Sequence, residues 1–150
     1  FIITDARSTL HALRAADGRV VWKRPQAGQT FVLHPGGLLH TYARGGHILA
    51  LKTATGEQVW SRRLGSGEGE SYGHESRLGL HGGTLYVGST DRNLYGLDAR
   101  TGRVLWSYSA DTTPNFPTVG IGGVAFVPAR DGSVHAVTPP GTNGGTGAAP

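Results

Sequence analysis

The chain has 150 residues, the length of one domain, and its 25 Gly and 8 Pro exclude a helical bundle, where each interior Gly costs about 1 kcal/mol against Ala. Charged residues make up 16 %, too few for a solvated disordered chain, and no apolar run approaches the roughly 18–20 residues of a membrane-crossing helix. Cysteine is absent, which excludes disulfides and thiolate chemistry, and the net charge of +4 comes from arginines scattered singly or in pairs (Lys23-Arg24, Arg62-Arg63), without the basic runs of a nucleic-acid binder.

Taken in order, Phe1-Ile2-Ile3-Thr4-Asp5 reads as a strand, with no charged leader and no initiating Met, as in material excised from something longer. Three segments then align without gaps. They are Ala12-Leu-Arg-Ala-Ala-Asp-Gly18-Arg-Val-Val-Trp22, Ala50-Leu-Lys-Thr-Ala-Thr-Gly56-Glu-Gln-Val-Trp60 and Gly96-Leu-Asp-Ala-Arg-Thr-Gly102-Arg-Val-Leu-Trp106. Their glycines and tryptophans are spaced 38 and then 46 residues apart, and a truncated fourth copy follows at Ala136-Val137. The third copy predicts strands over 77–81, 84–89, 93–98 and 103–109, joined by Gly82-Gly83, Thr90-Asp91-Arg92 and Thr101-Gly102. Connections this short force antiparallel neighbours. Strands 84–89 and 93–98 are apolar on both faces, as in a sheet stacked between two others.

A four-stranded meander repeating about every 40–46 residues is the arithmetic of a β-propeller blade. The expected architecture is all-β: a β-propeller segment over 1–138, with blades at about 1–24, 29–63, 76–109 and 116–138, then a flexible Gly/Pro-rich tail at 139–150. The first blade enters at its second strand and the last stops after its third, so two blades are full and two partial. Remaining blades, or a second copy, are expected to close the ring.

The pattern Ala-x-Asp-x-x-Thr-Gly-x-x-x-Trp resembles the repeat of the PQQ-like, quinoprotein-type propellers; 96–106 departs from it only in Gly96 for Ala. That family includes quinone-dependent alcohol dehydrogenases, an outer-membrane assembly lipoprotein that acts as a scaffold, and sensor propellers appended to serine/threonine kinases. The resemblance therefore implies three functions. The first is a non-catalytic ligand- or protein-binding (sensing) domain, as the C-terminal part of a longer receptor such as a serine/threonine kinase. The second is a cell-envelope assembly scaffold. The third is a fragment of a quinone-dependent dehydrogenase. It also implies an extracytoplasmic or membrane-tethered parent. In such propellers the tryptophan of one blade docks over the glycine turn of the next, which makes Gly18, Trp22, Gly56, Trp60, Gly102 and Trp106 expected structural staples.

The dehydrogenases hold PQQ with Ca²⁺, an Asp base and often a disulfide between adjacent cysteines. No Cys is present, and most of the few carboxylates fall at turn positions, so neither PQQ nor Ca²⁺ is expected and the segment itself is expected to catalyse nothing. His11 and His135 take the place of Tyr95 in the repeat, and His34 and His81 are likewise equivalent, so they read as packing residues and not as metal ligands. Two features are left as candidate sites. Arg7, Arg44, Arg92 and Arg130 each lie in a turn between a second and a third strand, where they would form a positive arc on one end of the propeller. The insertion 65–75 brings Glu68, Glu70, Tyr72 and His74 to the same end. The expected partner is a protein or an anionic small molecule on that loop face, with no nucleic acid and no direct membrane insertion.

Overall fold

The computed structural model describes residues 1–27, 30–43, 45–64, 78–89, 91–110, 119–121, 124–129 and 131–138. Every regular element among them is a strand. The first sheet holds β1 (Ile2–Thr4), β2 (Leu10–Leu13) and β3 (Val20–Arg24). The second holds β4 (Phe31–His34), β5 (Leu38–Ala43), β6 (His47–Lys52) and β7 (Gln58–Arg63). The third is built from β8 (Leu78–His81), β9 (Thr84–Gly88), β10 (Asn93–Asp98) and β11 (Val104–Ser109). The fourth contains β12 (Val119–Ile121), β13 (Val124–Pro128) and β14 (Val134–Val137). All pairings are antiparallel between chain neighbours, and β8 packs beside both β4 and β12, so the first strands of the second, third and fourth sheets adjoin. These are stacked propeller blades, all-β as the repeat arithmetic implies.

The register shows how the second and third sheets are buried on both faces. Ile2, His40, Tyr86 and Phe126 pair with Ala12, Ala50, Gly96 and Ala136, and so occupy one position of the repeat. At that position Ile2, His40 and Tyr86 face the following sheet, and Phe126 of the last sheet is exposed. Their neighbours Thr41, Val87 and Val127 face the preceding one, and the equivalent Ile3 of the first sheet is exposed. Three clusters fill the junctions. Leu10 and Ala27 meet Leu39, Leu49 and Leu51 between the first and second sheets. Tyr42, Ile48 and Leu64 meet Leu78, Leu85, Val87 and Leu97 between the second and third. Tyr86, Leu94 and Trp106 meet Ala125 and Val127 between the third and fourth.

The turn between third and fourth strands has the same build three times. Arg14, Lys52 and Asp98 each accept the N–H of a glycine four residues on (2.9, 2.8 and 2.8 Å), with Gly18, Gly56 and Gly102 at φ +69°, +71° and +70°. Only a residue without Cβ takes that conformation at no cost. Beyond each turn the register slips by one residue, between Ala12 and Leu13, Ala50 and Leu51, and Gly96 and Leu97. The slip is a bulge at Val21, Val59 and Leu105, and it re-aims the tryptophan that follows. Strand periodicity alone does not reveal it.

Candidate functional site

The turns between second and third strands lie at one end of the stacked sheets. At Asp5, Asp91 and Asp131 a carboxylate is drawn into the turn, and in the first two an arginine, Arg7 or Arg92, is left outside. Asp5 accepts the N–H groups of Arg7 (2.9 Å) and Thr9 (3.0 Å) on Oδ1, and its Oδ2 lies 2.9 Å from His11 Nε2. The His11 bond, then the Thr9 N–H, hold the Asp5 carboxyl down at about 2. Asp91 accepts the Asn93 N–H (3.0 Å) and the Tyr95 hydroxyl (2.7 Å); although partial burial opposes it, these bonds keep its pKa below the ordinary value. Asp131 accepts the Ser133 N–H at 2.9 Å and the Ser133 hydroxyl at 2.7 Å, and its pKa is also lowered, first by the hydroxyl bond.

These are Asx turns in which the aspartate serves the backbone. His11, Tyr95 and His135, equivalent in the repeat, stand behind them: the first two bond the aspartate, and His135 Nε2 lies 3.0 Å from the Ser133 hydroxyl that Asp131 holds.

Arg7 and Arg92 are exposed on this end, and neither is in an ion pair among the described residues. Arg92 holds φ +66°, a left-handed conformation that a non-glycine residue takes only in a turn that imposes it. Among the described residues of this end the outward charge is therefore positive, because Asp5 and Asp91 point into their own turns. Such guanidiniums can grip carboxylate or phosphate groups in bidentate fashion. Arg44, Arg130, Glu68, Glu70, Tyr72 and His74 lie outside the described residues.

The tryptophans divide into two kinds. Trp22 lies flat on Gly56, where a Cβ would come within 2.7 Å of the ring, and its indole N–H donates to the Thr53 carbonyl at 2.9 Å. Trp60 repeats this on Gly102, again at 2.7 Å, donating to the Ala99 carbonyl at 3.1 Å. Trp106 instead lies on Gly96 of its own sheet, leaving no room for a Cβ there, with its ring 5.8 Å from Tyr86. Gly18 carries no ring: among the described residues nothing lies within 4 Å of where its Cβ would stand.

His40 is the functional-type residue that sequence reading passed over. It is fully buried at the position held elsewhere by Ile2, Tyr86 and Phe126, and its Nε2–H donates to the Ala99 carbonyl at 2.7 Å, beside the Trp60 indole. Nδ1 is buried without a hydrogen-bond partner among the described residues. Burial pushes the His40 pKa below its ordinary 6.5, despite the Ala99 bond. The unfolded chain therefore takes up this proton first as pH falls. The contribution of neutral His40 is complete above about pH 6.5 and declines below it. Expected result: the His40→Phe variant loses less stability than wild type between pH 7 and 5, measured by urea unfolding; parallel losses would reject this origin.

Among the described residues no three His, Asp or Glu side chains gather as a metal site would require. Glu57 pairs with Lys52 at 2.7 Å, and Asp5, Asp17, Asp91, Asp98 and Asp131 each accept bonds within their own turns. These described carboxylates do not converge as the six to eight oxygens of a calcium site would, and Glu68, Glu70, Glu75 and Asp111 lie outside the described residues.

Residues 1–144 match the family described as PQQ_2, outer membrane protein assembly factor BamB. Over 101 residues the chain is 36 % identical to the serine/threonine-protein kinase AfsK of Streptomyces coelicolor, an overlap of 67 % of this chain and 12 % of the kinase. The structure of BamB from Moraxella catarrhalis superposes with a TM-score of 0.72 at 18 % identity, covering 91 % of this chain and 42 % of that one. Sqt1 from Saccharomyces cerevisiae superposes at 0.76 with 12 % identity, covering 94 % and 42 %. The chain thus spans less than half the length of each of these proteins.

Proposed function

The chain belongs to the PQQ_2, BamB-type propeller family, and from that premise we propose that it is a non-catalytic binding or sensing module carried by a longer receptor of the serine/threonine kinase kind. The 36 % identity to one such kinase, confined to 12 % of its length, carries this reading. The binding end is the one with Arg7 and Arg92, and its ligand is an acidic protein surface or an anionic small molecule. What supports this is the disposition of charge there: aspartates turned inward, arginines outward.

Calorimetric titration with a short polyglutamate peptide tests the reading. Wild type should bind with an affinity that falls as salt is raised, and the Arg7→Glu/Arg92→Glu variant should lose both the binding and its salt dependence. Equal binding by the two proteins, or none by wild type at low salt, would refute it. A second reading, a scaffold for protein assembly, is favoured by the family match itself. A polyanion-independent protein contact at the same end, insensitive to the arginine changes, would favour it.

A further inference from the structure

We propose that the arginine-bearing end is regulated by pH: protonation of His11 and His135 adds positive charge behind the turns of the first and fourth sheets, so that an anionic ligand is held more tightly as the medium turns acidic. This regulation rests on the reading of that end as the one that binds an anion.

His11 stands behind the turn that carries Arg7, with Nε2 at 2.9 Å from Asp5 Oδ2. An ionised carboxylate only accepts, so Nε2 carries the hydrogen of the neutral ring. The proton taken up on acidification therefore goes to Nδ1, and the bond to Asp5 is kept. Asp5 is held at about 2 and a guanidinium does not lose its charge, so between about pH 7.5 and 5.5 the imidazole is the group of this turn that changes charge. With a neutral ring Arg7 and Asp5 offset each other, and with a charged one the turn is net positive. Ile3 and Lys23 lie opposite His11 on the same face, and Lys23 adds a second cation there.

The fourth sheet repeats the arrangement with one more group. His135 Nε2 lies 3.0 Å from the Ser133 hydroxyl, which donates to Asp131 Oδ1 at 2.7 Å, and Nδ1 lies 3.1 Å from the Tyr108 hydroxyl of the third sheet. The Ser133 hydrogen is committed to Asp131, so Nε2 is a donor and Nδ1 accepts from Tyr108. A proton arriving at Nδ1 requires the Tyr108 hydroxyl to turn round and accept, which a hydroxyl can do by rotation. Val127 lies across the strand pair, so Asp131 and Tyr108 are the titratable groups that face this ring among the described residues.

The third sheet lacks the titrating ring. Tyr95 takes the place of His11 and makes the same bond, to Asp91 at 2.7 Å, but a phenol is neutral across this range. Leu49 holds the place in the second sheet. Tyrosine therefore serves the turn as histidine does, and what histidine adds is a charge that depends on pH. His47, also at this end, bonds the Ser61 hydroxyl at 3.0 Å and lies opposite Ala43 and Arg63.

The test is a calorimetric titration at low salt with sucrose octasulfate, whose sulfates stay ionised across this range. Wild type should bind it roughly 3- to 10-fold more tightly at about pH 5.5 than at about pH 7.5. Midway between them binding should take up protons, read from the heats in buffers of different ionisation enthalpy, because a ligand that prefers the protonated form raises its population. The His11→Tyr/His135→Tyr variant supplies the hydroxyl that the third sheet uses and leaves His40 and His47 in place. It should match wild type at the higher pH and lose most of the gain and of the proton uptake at the lower. An undiminished gain in the variant would overturn the proposal. Should the double variant fail to fold, His11→Tyr decides: it should lose part of both effects, and full wild-type behaviour would overturn the role of His11. Wild-type binding that is the same at both pH values would overturn the regulation and leave the binding end standing. No binding at either would refute the binding end and the regulation together.

Discussion

The Trp60→Ala variant should lose about 3–5 kcal/mol of unfolding free energy, read as a fall in the urea midpoint. Trp60 covers Gly102 and packs against the largest junction cluster, and its indole N–H shares the Ala99 carbonyl with His40. Removing the ring opens a cavity between the second and third sheets and leaves His40 as the remaining side-chain donor to that carbonyl. A loss under about 1 kcal/mol would show that the indole rests on the surface and does not hold the sheets together. Gly102→Ala approaches the same contact from the other side, since its Cβ would enter the ring and its φ is +70°. If one contact underlies both effects, the double variant should be less destabilised than the sum of the single ones. Full additivity would separate backbone strain at Gly102 from the seat of the indole.

How much of this was legible beforehand depends on which force sets each feature. The blades were legible because short turn connections and a recurring Gly–Trp pair act locally, and the sheets carry that period through to Val137. The pairing of Trp22 with Gly56 and of Trp60 with Gly102 follows the same repeat. What could not be read is what depends on departures from equivalence. His40 looks like any strand histidine until the register places it in the column of Ile2, Tyr86 and Phe126, between two sheets that exclude water. The bulges at Val21, Val59 and Leu105 leave the spacing unchanged and so leave no periodic trace. At the arginine-bearing end, sequence spacing located Arg7 and Arg92 in their turns. It could not show that Asp5 and Asp91 turn inward to bond His11 and Tyr95, and this is what leaves the positive charge facing outward.

Gly96 is the one place where the repeat replaces alanine, and the expected result of restoring it is a loss of stability. Ala12 and Ala50 hold the equivalent position opposite Trp22 and Trp60 and are buried without conflict, because those rings reach forward to the next sheet. Trp106 lies back over Gly96 instead, and a Cβ there would overlap the indole. In an extended strand without that contact, Gly→Ala would stabilise by roughly 0.5–1 kcal/mol through the entropy of the unfolded chain. Overpacking in a closed junction acts the other way, at about 1–3 kcal/mol. The overlap falls on a ring held between Tyr86, Leu94, Ala125 and Val127, which has little room to retreat, so overpacking should win and Gly96→Ala should unfold at lower urea than wild type. The sign discriminates. A stabilised variant would mean that Trp106 can swing forward as Trp22 and Trp60 do. Combining Gly96→Ala with Trp106→Leu should remove the overlap, so that adding the methyl group to a Trp106→Leu background is neutral or favourable. A persisting penalty there would place the conflict in the backbone between β10 and β11 and not in the ring.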